Sequence, residues 1–202
     1  MKLSTWSVPP MWAGRTVAVL ASGPSMSQPV ADRIHGEGLP AIVINTTYKL
    51  APWADILYAA DQQWWIENPD ALRFRGLKVT CTEPISEEIL RLSYTGPEGF
   101  ENNPSCIRTG NNSGYQAVHI AAHAQAARIL LCGMNMGGEN WHGRHPAPLR
   151  TTTAEEFSRW LRKWDTLAPI LLDKGIEVWN CTPDSALQCF PYVDLETALQ
   201  RE

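Results

Sequence analysis

Short apolar runs that do not alternate recur along this chain, and they restrict its fold more than any other feature. They are Thr16–Ala21, Ala41–Asn45, Asp55–Ala60, Leu77–Cys81, Arg128–Gly133 and Ile176–Asn180. A strand with one wet face alternates apolar and polar residues, whereas a strand covered on both faces does not. These runs therefore predict a sheet lying between two layers of helix. Helical patterns fall between them. Gln28–Gly38 has Gly36 and Gly38 to stop it, Asp61–Asn68 is short, and Ser113–Ala126 is Ala-rich. The clearest helix is Thr153–Asp173, where Phe157, Trp160, Leu161, Trp164, Leu167, Ala168 and Leu171 form one stripe at three- and four-residue steps. Pro169 is expected to bend its last turn, and Lys174-Gly175 to end it. Strands alternating with helices give an α/β fold with a mostly parallel sheet, here of about six strands.

A chain of 202 residues suits one domain with a full core, and residues 1–202 read as a single α/β domain. The net charge of −4 gives no general attraction to nucleic acid or to an anionic membrane. No apolar run reaches the roughly 18 residues of a membrane span. The first residues lack the apolar core of a signal peptide, so the expected location is the cytoplasm. Five cysteines make no CxxC pair, and Cys81 and Cys132 end strand-like runs, as small buried hydrophobes do. Of the nine tryptophans most read as core, while Trp64-Trp65 and Trp141 sit in loop-like contexts suited to lining a pocket.

Two segments resist the pattern. Residues 82–105 mix Pro, Gly, Asn and acids around a brief helical patch, Pro84–Leu92, and residues 134–150 are rich in Gly, Asn, His and Pro. In open α/β sheets ligands bind outside the carboxyl ends of the strands, so both segments read as loops at the active edge.

Four polar clusters follow strands and share that edge: Ser22-Gly23-Pro24-Ser25, Asn45-Thr46-Thr47, Asp61-Gln62-Gln63 and Met134 to His145. A fifth, Thr109-Gly110-Asn111-Asn112-Ser113-Gly114, precedes a helix and offers amides at its positive end. Each also has a plain reading as turn or N-cap. In particular, Ser22–Ser25 reads either as a tight turn or as a cradle for a phosphate. Five donor-rich, mostly uncharged loops on one edge suit ribose, base and phosphate better than an apolar substrate.

His119 and His123, four apart on one helix with no third ligand nearby, read as core or helix-surface residues. His142 and His145 lie in a loop at the active edge, where an imidazole is suited to general-base work, and Arg144 between them is suited to an anion. Asp61 is the carboxylate best placed for Mg2+. The chain has no GxxxxGK[ST], no GxGxxG and no GxSxG, so P-loop hydrolysis, standard dinucleotide binding and a hydrolase elbow are not indicated.

The stretches VLASGPSMS, VINTTYKL, IRTGNNSGYQAVHIAAHAQAARILLCGMNM, HGRHP and GIEVWNCTPDSAL resemble, in that order, elements of the family 42 bacterial sialyltransferases. They also resemble the related group that includes archaeal 6-hydroxymethyl-dihydropterin diphosphokinases, and most of all its short members carried by phages and prophages. The resemblance implies a Rossmann-like three-layer sandwich that binds a nucleotide or nucleotide-sugar donor, in the host cytoplasm if phage-encoded. It implies that Ser22, Gly23, Pro24 and Ser25 face phosphate and ribose and that Asn45 touches the nucleotide. It places Thr109, Gly110 and Ser113 at base or phosphate, Gly133 and Asn135 along the cleft, and His142 as base with His145 as its substitute. Ala21 stands where the family has its first Gly, and the acceptor-binding lid is much shorter. Three functions follow: a glycosyltransferase-like transferase, a Mg-ATP-dependent diphosphokinase of a small alcohol, and a non-catalytic nucleotide-binding module.

Overall fold

The computed structural model describes residues 5–200. Its central sheet has seven strands in the order β5-β4-β3-β2-β1-β8-β9, every neighbouring pair parallel. These are β1 (Thr16–Leu20), β2 (Ala41–Ile44), β3 (Ile56–Tyr58), β4 (Leu77–Thr80), β5 (Ile89–Arg91), β8 (Arg128–Cys132) and β9 (Glu177–Asn180). A separate parallel pair, β6 (Ser93–Tyr94) and β7 (Cys106–Ile107), lies in the segment between β5 and β8.

Seven strands replace the expected six or so. The addition, β5, falls inside the patch read as helical at Pro84–Leu92. Three residues are too few to show a strand's period. Ile89 is nonetheless buried, and the strand pairs with β4 through Lys78↔Ile89, Val79↔Leu90 and Thr80↔Arg91.

Burial on both faces accounts for the unbroken apolar runs. Along β1 and just past it, Val17, Val19 and Ala21 enter one core layer, and Ala18 and Leu20 enter the other. The first layer is closed by α3 (Ser113–His123) and α4 (Ala154–Asp173), the second by α1 (Gln28–Gly36), α2 (Gln62–Glu67) and α5 (Leu195–Leu199). The result is the three-layer α/β sandwich. From Gly114 to Ala122 α3 is buried all round, as a helix with few polar residues must be, and its two buried polar side chains are Gln116 and His119. Among the described residues no helix is long and apolar enough to cross a membrane.

The helix ends follow local rules. Thr153 caps α4 in a full capping box with Glu156, worth about 0.5–2 kcal/mol. The helix runs through Pro169 to Asp173, and Gly175, at φ +73°, takes the left-handed position after the Lys174 cap. The helix read as Ser113–Ala126 stops at His123, because Gln125 turns left-handed at φ +65°.

From β1 the chain steps outward to β5, then returns through α3 to β8 on the other side of β1. The order therefore reverses between β1 and β8, and the crevice of such a sheet opens at the carboxyl ends there.

Candidate functional site

A cleft of about 1150 Å3 occupies that edge. It slightly exceeds the ~300–1,000 Å3 of common small-molecule pockets. The ends of β1, β2, β3, β4 and β8 form its floor, with the first turns of α3 and α4 as walls. All five polar clusters singled out in the sequence reach it, through Ser22 and Gly23, Asn45, Asp61, Asn111 to Gly114, and Met134, Met136 to Asn140 and His145.

The Ser22–Ser25 stretch forms a turn held by the rest of the edge. Met26 N–H donates to Gly23 O at 3.0 Å, closing a turn with Pro24 at its second position. Gly23 N–H donates to Gly133 O at 2.8 Å. Ser25 donates to Asn135 Oδ1 twice, from its backbone N–H at 3.2 Å and its hydroxyl at 2.7 Å. Only Ser22 and Gly23 of the four line the cleft; Pro24 and Ser25 do not. Asn135 is likewise spent, since its Nδ2 donates to Pro183 O at 3.3 Å. Thr182 and Ser185 hold the neighbouring Met134, accepting its N–H at 2.9 Å and donating to its carbonyl at 2.7 Å. The polar residues after β9 thus position the β8 loop, which in turn clasps the β1 turn.

Thr47 ties in the next two loops. Its hydroxyl donates to Ala21 O at 3.1 Å, lies 3.0 Å from Ser22 Oγ, and accepts Trp141 Nε1–H at 3.2 Å. Trp141 N–H donates to Ser22 O at 3.0 Å, so the 134–150 loop is pinned over the ends of β1 and β2. Trp141 is therefore a strap, and it does not line the cleft. Of the other tryptophans singled out, Trp64 lines it, while Trp65 is wholly buried and donates to Ala59 O at 3.0 Å.

The α3 end carries free donors. Asn112 caps the helix, its Oδ1 accepting from Tyr115 N–H at 3.1 Å. Beside that cap, Ser113 and Gly114 line the cleft at the helix's positive end, where the first amides have no intrahelical acceptor. Gly110, at φ +54°, lies under the Tyr115 ring, where a Cβ would come within 2.3 Å of Cγ; it packs without lining the cleft. Thr109 does line it, and its carbonyl accepts Gln116 Nε2–H at 2.8 Å. Asn45, Asn111 and Met136 line the cleft in left-handed conformations, at φ +49°, +55° and +56°. Strained backbone of this kind gathers where function requires it.

The two loop histidines separate. Their rings sit 4.8 Å apart, yet only His145 lines the cleft. His142 packs edge-on to Trp141, with Nε2 buried and unpartnered among the described residues. Burial, with the nearby His145, lowers its pKa to about 4. Burial also lowers the His145 pKa, against the pull of the Asp61 carboxylate. Arg144 is exposed, pairs with Glu139 at 2.9 Å and does not line the cleft. His119 is a core residue stacked on Phe100, with burial holding its pKa down to about 3, and His123 is half-buried beside the same ring.

Several lining residues had no signal or a misleading one. Gln116 is buried on α3 and accepts the Tyr58 hydroxyl at 2.8 Å; a glutamine inside an Ala-rich helix reads as surface. Phe157 and Trp160, read as core stripe, are half-buried and line the cleft with Arg159, Arg162 and Lys163. Three cations within five residues of α4 were the available signal. Among the described residues no three His, Cys, Asp or Glu side chains gather as a metal cage. Asp61, the N-cap residue of α2, lines the cleft with its side chain making no cap bond, and a phosphate-bound Mg2+ asks for only one or two carboxylates.

No protein-family model matches the chain, and no curated protein or solved structure is significantly similar to it.

Proposed function

We propose that this protein transfers a group from a nucleotide-activated donor to an acceptor hydroxyl. The observation that carries this reading is one cleft that joins the open amino end of α3, the cations of α4 and the neutral imidazole of His145 beside Asp61. The helix end and cations suit the phosphate of a donor, and the uncharged loops at Ser22, Asn45 and Thr109 suit ribose and base.

His145 takes the role of base that the family resemblance implied first for His142. A depressed pKa leaves its ring neutral at neutral pH and free to accept a proton. The acceptor O–H gives its proton to this ring, and its oxygen bonds to the transferred centre. The bond from that centre to the donor phosphate breaks, and the nucleotide leaves with the electron pair. Asp61 stabilises the imidazolium so formed, and the α3 amides stabilise the departing phosphate.

A positioned base contributes typically ~10²–10⁴ in rate. His145→Gln should therefore lower kcat by about that factor while donor Kd changes less than about threefold. Equal losses in kcat and in donor affinity would remove His145 from this role.

A further inference from the structure

The polar face of α4 contributes more positive charge than a single phosphate requires. Arg159 and Lys163 stand four residues apart, as surface neighbours on one helix, with Arg162 beside them, and all three line the cleft. Lys163 reaches Asn111 Oδ1 in the turn just before the α3 cap, so the row begins beside the amino end of α3. Arg159 and Arg162 make no ion pair with any described residue. The carboxylates near them are spent, Glu156 on Thr153 and Arg150, and Glu139 on Arg144. Asp61 and Glu98 also line the cleft, and neither pairs with the row. Like charges at helical spacing repel, and the Glu156 carboxylate that Arg159 helps to stabilise is already bonded to Thr153 and Arg150, so this arrangement costs stability.

One helix end with one ammonium is enough for one phosphate. Two further guanidinium groups are planar forks that take phosphate oxygens in pairs. We infer that the cleft takes a ligand with two neighbouring phosphates, one at the α3 end and Lys163, the other against Arg159 and Arg162. The inference rests on the nucleotide reading for its source, and it makes the donor a nucleoside diphosphate derivative. The same chemistry would also serve a phosphorylated compound that is not a nucleotide.

Calorimetric titration of the whole protein with CMP, CDP, UMP, UDP, AMP, ADP, GMP, GDP and inorganic pyrophosphate separates these cases. The expected result is a nucleoside diphosphate that binds at least about tenfold tighter than its monophosphate, in keeping with charge-assisted bonds to a second phosphate. In the R159Q/R162Q variant, whose two sites are exposed and so tolerate exchange, the two affinities should converge. Equal binding of mono- and diphosphate by the native protein overturns the inference and leaves the nucleotide reading standing. A diphosphate preference that persists in the variant also overturns it. Arginine-dependent binding of pyrophosphate without any nucleotide supports the inference and overturns the nucleotide reading. Binding of neither overturns both.

Discussion

Gly23 is the point where the β1 turn meets the β8 loop, and Gly23→Ala tests whether that clasp holds the edge together. A Cβ there would lie 2.4 Å from Asn135 Oδ1 and 2.4 Å from Gly133 O. The amide could swing aside, but the carbonyl belongs to the backbone and cannot. To relieve the overlap the two loops must separate. Separation strains or breaks the Gly23 N–H bond to Gly133 O and both Ser25 bonds to Asn135. Each such bond contributes ~0.5–1.5 kcal/mol net, so the expected loss is about 3 kcal/mol. For a chain of this size 1 kcal/mol moves Tm by roughly 2–4 °C, so Tm should fall by about 6–12 °C. Urea and thermal unfolding measure it, with Gly137→Ala as control, since a Cβ there meets nothing within 4 Å. A fall of less than about 2 °C, comparable with an ordinary surface substitution, would refute the clasp.

Two further outcomes concern pH. The Asp61 carboxylate raises the His145 pKa, so Asp61→Asn should move the acidic limb of kcat/KM to lower pH; a limb that stays put or moves up would separate the two residues. His119 has its pKa lowered to about 3 when folded, so between roughly pH 6.5 and 3 the unfolded chain takes a proton that the native protein refuses. Stability is therefore lost as pH falls, by about 2 kcal/mol between pH 7 and 5, and His119→Phe should remove that part of the decline. An unchanged pH dependence by urea unfolding would mean that His119 protonates in the native state.

The sheet was legible because two-sided burial writes an unbroken apolar run, as at Val17–Leu20 and Ile129–Cys132. The α4 boundary was legible because Thr153 and Glu156 cap it with local bonds. β5 was not, because an edge strand of three residues among prolines and acids leaves no period to read. The partner of Ser25 lies 110 residues away at Asn135, so nothing local could tell a clasped turn from a phosphate cradle. His142 and His145 share one loop, and only the strap through Trp141 and Thr47 separates the packed ring from the one at the cleft. The basic face of α4 stood in plain view, but the apolar stripe already accounted for that helix. Its placement against Asn111 required the fold.

The most direct test of the central claim is a set of thermal melts against nucleoside mono-, di- and triphosphates of each base, with and without Mg2+. A nucleotide at about 100 times its Kd adds ~2.7 kcal/mol, which should raise Tm by roughly 5–11 °C. The account predicts such a rise with nucleotides of one base, present without Mg2+. A rise confined to ATP with Mg2+ would move the reaction to diphosphoryl transfer. No rise with any nucleotide would contradict the account, leaving the cleft without the donor on which the proposed chemistry depends.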